Sequence, residues 1–250
     1  MSDLPISDIS VSGLAENGSE YNMQALRHRL DSGSIKQQFQ VIQELATLGE
    51  TGEGLLMDKL LQAKGKSATA VDGAIVQVLT RSESVQSSDF LNTHYPNGLV
   101  LLQSARDVDY SPLQHLLAQK KYEDADRVTL QKMCELAGPV AVRRKWLYFS
   151  DVDQFPARDL RLLDHLWLVY SEGRFGFSVQ RELWLNNRKD WDRLWPKIGW
   201  KSANIWTRYP NEFTWDLTAP KGHLPLSNQL RGVRVMASLM KHPAWTAAAE

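Results

Sequence analysis

The sequence predicts an all-α protein, and three observations carry that expectation. Apolar residues recur at three- and four-residue steps along most of the chain. Glycine and proline fall at the ends of these runs, where helices stop and start. No stretch of convincing length alternates apolar and polar residues as a half-buried strand does.

The elements follow in order. Residues 1–20 are rich in Ser, Asp, Gly and Asn without periodicity, and read as a disordered tail. Residues 21–92 read as a stack of short helices. In "IKQQFQVIQELATLG", Ile35, Phe39, Ile42 and Ala46 share a face, and Gly49 follows as a stop. "GEGLLMDKLLQA" repeats the design with Leu56, Leu60 and Leu61, and "AVDGAIVQVL" with Val71, Ala74, Ile75 and Val78. Helices of about three turns are marginal alone, so each apolar face must pack on a neighbour. An antiparallel stack resembling HEAT or armadillo repeats is the expected form, although the period is irregular. "LNTHYPNG", from Leu91 to Gly98, marks a linker.

The second unit covers residues 98–246. Ser111 is placed as an N-cap with Pro112 in the first helical position, and Leu113, Leu116 and Leu117 share a face. A helix from Tyr122 to Ala137 ends at Gly138-Pro139. Pro156 starts another, lined by Leu160, Leu163, Leu166, Trp167 and Tyr170 and stopped by Gly173. "FSVQRELWLNN" and "DWDRLWPKIGW" give shorter helices. The last, "PLSNQLRGVRVMASLMKH", places Leu226, Leu230, Val233, Ala237 and Met240 on one stripe. All nine tryptophans lie between Trp146 and Trp245, so the two halves are expected to have different tasks.

Composition narrows the function. Acidic and basic residues balance at 29 each, which argues against a general binder of nucleic acid or anionic membrane. The one cysteine, Cys134, excludes an internal disulfide and suits a reducing compartment; it reads as a small buried helix residue and not a nucleophile. The start is acidic and polar, unlike a secretory or transit peptide, and no apolar run approaches the length of a membrane span.

No catalytic set assembles. "GETGEG", Gly49 to Gly54, lacks the Lys-Ser/Thr tail of a phosphate loop and reads as a turn between helices. The six histidines show no paired metal spacing. His165 reads as structural, and His223 as a hydrogen-bonded cap in a loop. Asp107 with Asp109, and Asp151 with Asp153, read as helix caps. No nucleophile, base and orienting group can be combined.

Two features suggest binding. "KIGWKSANIWTRYPNEFTWDL", Lys197 to Leu217, holds five large rings at no regular spacing. Trp206, Tyr209 and Phe213 read as an aromatic flap over a site, with Trp200 and Trp215 left in the core; a plug on a small helical core is the alternative. In "LSNQLRGVRV", Asn228, Arg231 and Arg234 lie three apart and so along one side of the final helix. Guanidinium groups in such a row suit carboxylates, while an ordinary solvated face or an internal ion pair is the plainer alternative from spacing alone. Residues 197–250 carry seven basic residues against three acidic. Single-stranded nucleic acid is disfavoured because two of those bases belong to the carboxylate-spaced row and the rest are scattered.

The second half resembles the genomes-uncoupled family of tetrapyrrole-binding proteins. The blocks that carry the resemblance are "LQSARDVDYSPLQHLL", "CELAGP", "FGFSVQRELWL", "LWPKIGWKSANIWTRYP", "FTWDLTAPKGHLPLSNQLRGVRV" and "HPAW", in order along the unit. The first half looks like the accessory domain of cyanobacterial members. The resemblance implies an all-helical core shaped like a cupped hand. It implies binding of protoporphyrin IX and Mg-protoporphyrin IX, without catalysis, and no catalytic cofactor. The partner it implies is the large porphyrin-binding subunit of magnesium chelatase, which such proteins stimulate in chlorophyll biosynthesis. The family's asparagine and arginines fall on Asn228, Arg231 and Arg234. Trp206, Tyr209 and Phe213 fall in its aromatic segment, where relatives often carry Trp in place of Tyr209. A monomer is expected, cytoplasmic and loosely associated with photosynthetic membranes, and bacterial in view of its start. Two other readings stay open on the residues alone: an enzyme subunit acting on tetrapyrroles, and a purely structural helical adaptor.

Overall fold

The computed structural model describes residues 12–226 and 233–246, and among them the protein is all-α. Helices α1 (Ser12–Ser32), α2 (Ile35–Ala46), α3 (Gly49–Ala63), α4 (Ala70–Arg81) and α5 (Val85–His94) form the first half. Neighbouring helices pack in sequence, and α4 also packs on α2. Capping boxes open two of them: Ser34 with Gln37 at α2, and Thr69 with Asp72 at α4.

Several expectations need correction here. The first helix begins at Ser12, inside the stretch read as a tail. Ile35 is 65% exposed, because α2 meets the core through Val41, Ile42 and Leu45, a stripe rotated from the one the spacing suggested. Leu61 is exposed for the same reason, and Met57 takes its place with Leu56 and Leu60. Gly49 does not simply stop α2. It has a φ of 60° and begins α3, so "GETGEG" lies within a helix and not a turn. Gly52, inside that helix, serves packing: a Cβ there would stand 2.0 Å from the Leu45 carbonyl oxygen. Helix α5 runs on to His94, past the expected start of the linker.

The second half contains α6 (Ser111–Ala118), α7 (Tyr122–Ala137), α8 (Pro139–Arg144), α9 (Phe149–Val152), α10 (Ala157–Val169), α11 (Phe177–Asn186), α12 (Trp191–Lys197) and α13 (Arg234–Lys241). Ser111 is the first helical residue and not the cap, and its N–H donates to Asp109 Oδ1 at 2.9 Å. Gly138 ends α7 and Gly173 closes α10, both with positive φ. Helices α8 and α9 are too short to have shown a period. The final helix begins at Arg234, not near Pro225, and Val233 is 39% exposed. Its buried stripe is Val235, Met236, Leu239 and Met240. Leu230 lies outside the described residues.

The two halves share one hydrophobic core, which runs from Leu26 to Ala244. Helix α4 makes the junction. A Cβ on Gly73 would stand 2.0 Å from the Val169 carbonyl oxygen, so α4 and α10 touch backbone to backbone. Beside it, buried Gln77 donates from Nε2 to the carbonyl oxygens of Leu117 at 2.8 Å and Tyr170 at 2.7 Å. These carbonyls lie at the ends of α6 and α10; Leu117 O also accepts from Lys120 N–H at 3.0 Å, and a carbonyl oxygen has room for both donors. Tyr122 adds a hydroxyl donation to Tyr170 O at 2.6 Å. Gln114 ties in the linker by accepting from Val100 N–H at 2.7 Å and from the Tyr170 hydroxyl at 3.0 Å.

Asp164 shows how a buried charge is used locally. It lies on α10, and its Oδ1 accepts from Ser178 N–H at 2.8 Å, capping α11 from the side.

Two predictions follow from this packing. Gln77→Leu keeps the volume and removes two buried hydrogen bonds while leaving each carbonyl one other donor, so it should cost about 1–2 kcal/mol in urea unfolding. Burial pushes the Asp164 carboxyl from its ordinary 3.8 up to about 6, against the hydrogen bonds from Ser178. The folded protein therefore favours the protonated form, and that contribution is lost as pH rises through about 6. Wild type should lose stability relative to Asp164→Asn between about pH 4 and pH 7; thermal melts of both across that range check it.

Candidate functional site

The aromatic segment is mounted on stacked tryptophans. Trp184 stacks on Trp191 with ring centroids 5.1 Å apart, Trp191 on Trp195 at 5.1 Å, and Trp195 on Trp200 at 5.6 Å. Trp206 closes the series, tilted against Trp195 at 5.6 Å. Trp200 is fully buried, and its indole N–H donates to His223 O at 2.8 Å. Above this ladder sits a two-residue hairpin, β1 (Lys201–Ser202) paired antiparallel with β2 (Ile205–Trp206). Its turn residues Ala203 and Asn204 both have positive φ, as a tight hairpin of this length requires. The hairpin thus fixes Trp206 in a stretch that the sequence reads as a loop.

The predicted flap residues separate. Trp206 is 44% exposed and Tyr209 46% exposed, so both offer ring surface to solvent. Phe213 is a correction: it is only 6% exposed, packed against His223 at 5.1 Å and Trp215 at 5.9 Å. It belongs to the support, not to the surface. Trp215, expected in the core, is partly buried, lies edge-on to Tyr209 at 5.9 Å, and donates its indole N–H to Pro210 O at 3.1 Å.

His223 holds the segment from below. Its Nδ1–H donates to Ile198 O at 2.6 Å, which leaves Nε2 to accept from Thr214 N–H at 3.3 Å. Burial holds its pKa below the ordinary value, so the neutral ring is kept. Tyr209 stands by the start of α7. Burial raises its phenol pKa, followed by the charge of Asp126, with Arg127 opposing.

On the last helix, Arg234 is exposed in the first turn, with its guanidinium carbon 5.9 Å from the ring centroid of Phe149. Among the described residues no ion pair to Arg234 is found. Asn228 and Arg231 lie outside the described residues. The chain on either side of them is placed, however: Leu226 beside Asp126, and Arg234 beside Phe149.

Phe149 belongs to a surface that the sequence analysis did not single out. It is 42% exposed, with Tyr148 from the same turn and Val140 and Val142 from α8 exposed nearby in the chain. Arg144 packs against both rings of the Trp146–Tyr148 pair, at 4.4 and 4.2 Å from their centroids, and pairs with Asp151. The available signal was "VAVRRKWLYF", three cations flanked by valines and rings, but α8 and α9 carry too few residues for a face to register.

Among the described residues no group of three His, Cys, Asp or Glu is placed to hold a metal. Cys134 is buried, and burial pushes its thiol up to about 11, far from a reactive thiolate. A cleft of about 590 Å³ between α2 and the Glu172–Arg174 turn is open to solvent and lies away from the aromatic segment. No helix among the described residues is long and apolar enough to cross a membrane.

Fold and surface together define an all-helical protein of two packed halves, with the exposed ring of Phe149 beside Arg234, a cation that has no ion pair among the described residues. Residues 103–243 match the "GUN4-like" family model, and residues 14–96 match the "ARM-like repeat domain, GUN4-N terminal" model. The chain belongs to the GUN4 family. It is 50% identical over 227 residues to a "Ycf53-like protein" of Synechocystis, covering 90% of this chain and 97% of that one. It is 35% identical over 148 residues to the "Tetrapyrrole-binding protein, chloroplastic" of Arabidopsis thaliana, covering 56% of each. Among solved structures, GUN4 from Chlamydomonas reinhardtii aligns with a TM-score of 0.56 at 37% identity, over 59% of this chain and 95% of its own. Ligand-free Arabidopsis GUN4 aligns with a TM-score of 0.51 at 36% identity, over 55% of this chain and 98% of its own.

His223→Phe removes both ring hydrogen bonds beneath the aromatic segment. It should lower stability by about 2–3 kcal/mol and speed amide exchange at Thr214, which exchange measured by NMR will show.

Proposed function

We propose that this chain is a non-catalytic porphyrin-binding protein that takes protoporphyrin IX and Mg-protoporphyrin IX. In this role it stimulates magnesium chelatase in chlorophyll biosynthesis by acting with the large porphyrin-binding chelatase subunit. A porphyrin is a flat apolar disc with two carboxylates on one edge, and it needs broad apolar contact with cations at the rim. The observation that carries the reading is the exposed Arg234 guanidinium over the ring of Phe149, with Trp206 and Tyr209 also exposed in the same half of the chain. Asn228 and Arg231 fall in the chain between Tyr209 and Arg234, and the plant relative's name supports the ligand class. In this scheme Arg231 and Arg234 grip the propionates, Asn228 adds a hydrogen bond, and the rings of Trp206, Tyr209 and Phe149 cover the disc. Phe213 acts from beneath, by supporting Tyr209. The chain works as a cytoplasmic monomer and meets photosynthetic membranes through its bound porphyrin or through the chelatase.

Titration with a water-soluble protoporphyrin analogue, followed by tryptophan fluorescence, tests this. Wild type should show saturable quenching, and Arg231→Ala should bind about tenfold more weakly while melting like wild type, as loss of one charge-assisted hydrogen bond implies. Absence of quenching in wild type would sink the reading. Purified chelatase should insert magnesium faster with the protein present, and the protein alone should insert none.

A further inference from the structure

The chain approaches Asn228 and Arg231 through residues 222–226, and side chains and backbone hold that approach throughout. Gly222 N–H donates to Arg174 O at 2.8 Å, and Gly176 N–H donates to Leu224 O at 3.0 Å. Gln180 donates from Nε2 to Gly222 O at 3.0 Å and Pro225 O at 2.9 Å. The last bond differs in kind. Leu226 N–H donates to Asp126 Oδ1 at 2.6 Å, across a sequence separation of 100. Asp126 is buried on α7, and among the described residues no ion pair to it is found. A buried carboxylate without a cation is costly, and a neutral side chain would cap one amide at less expense. The amide it holds, that of Leu226, lies two positions in sequence before Asn228, and the carboxyl stands beside Tyr209.

We propose that Asp126 is a positioning residue for porphyrin binding, tethering Leu226 so that the stretch carrying Asn228 and Arg231 starts at a fixed point beside Tyr209. The proposal rests on the clamp reading given above. The groups around the carboxyl are Glu123 on its own helix and Tyr209 opposite, with Asp124 and Arg127 also acting on that phenol. Burial pushes Asp126 up to about 7, against the pull of the Leu226 N–H. The ionised carboxylate is the stronger acceptor, so the tether tightens as pH rises through that value.

The test is the same porphyrin titration on wild type, Asp126→Ala, Asp126→Asn and Arg231→Ala, with thermal melts of each. Asp126→Ala should bind about tenfold more weakly, the size of one lost charge-assisted hydrogen bond. Asp126→Asn, whose Oδ1 still accepts from Leu226, should recover most of the affinity at pH 6. Wild type should then gain on it from pH 6 to pH 8, and taking the ratio of the two cancels titration of the porphyrin itself. Wild-type affinity in Asp126→Ala, with Arg231→Ala weakened, overturns the tether alone. Should Asp126→Ala fail to fold, a constant ratio between wild type and Asp126→Asn across pH 6–8 overturns it instead. Wild-type affinity in Arg231→Ala overturns the clamp reading, and the tether with it.

Discussion

The side-chain amide of Gln77 joins the two halves of this protein. It stands on α4, in the first half, and satisfies carbonyls at the ends of α6 and α10 in the second. Both residues are buried, and each carbonyl also accepts from the second half itself, Leu117 O from Lys120 N–H and Tyr170 O from the Tyr122 hydroxyl, so the Gln77 amide adds a bridge from the first half to ends that are already held. Gly73, one turn earlier on α4, lets the backbones of α4 and α10 meet. The armadillo-like half is thus not a tethered accessory but part of the wall against which the second half closes. With α10 fixed, Asp164 can cap α11, and α11 in turn supplies Gln180 to hold residues 222–226.

A second consequence of that order is the rigidity of the aromatic mount. Trp184 stands on α11, Trp191 and Trp195 on α12, and Trp200 just after it, and their rings lie nearly parallel in sequence. The exposed Trp206 is therefore the end of a stack that reaches back into the core, and not a ring on a mobile loop. His223 does the same for the following stretch by bridging Ile198 and Thr214. Rings already held in place lose little freedom when a ligand meets them, which favours the proposed binding of a flat ligand.

Much of the fold was legible in three- and four-residue steps. Helix α7, the buried row on α10 and the stops at Gly138 and Gly173 stand where the pattern places them. The pattern fails where elements are short or where a face is set by neighbours. Ile35 shares a period with Ile42 yet projects past the edge of the stack. Val233 fits the stripe of the final helix yet precedes its first turn. Phe213 looks like its neighbours Tyr209 and Trp215, and only contact with His223 takes it inside. Of the residues proposed for binding, Trp206, Tyr209 and Arg234 could be named from residue type, spacing and the family resemblance, whereas Phe149 and Asp126 could not.

What the sequence determined by itself is the helical class, the division of tryptophan-free and tryptophan-rich halves, and the family to which the long shared blocks point. Those properties live in local periodicity and in runs of residues, which need no third dimension. What only the tertiary structure decided is which residues meet. Arg234 and Phe149 are 85 positions apart in the chain, and Asp126 and Leu226 are 100 apart. A guanidinium over a ring and a carboxylate on an amide depend on ångström distances across the core, and no local pattern encodes those distances.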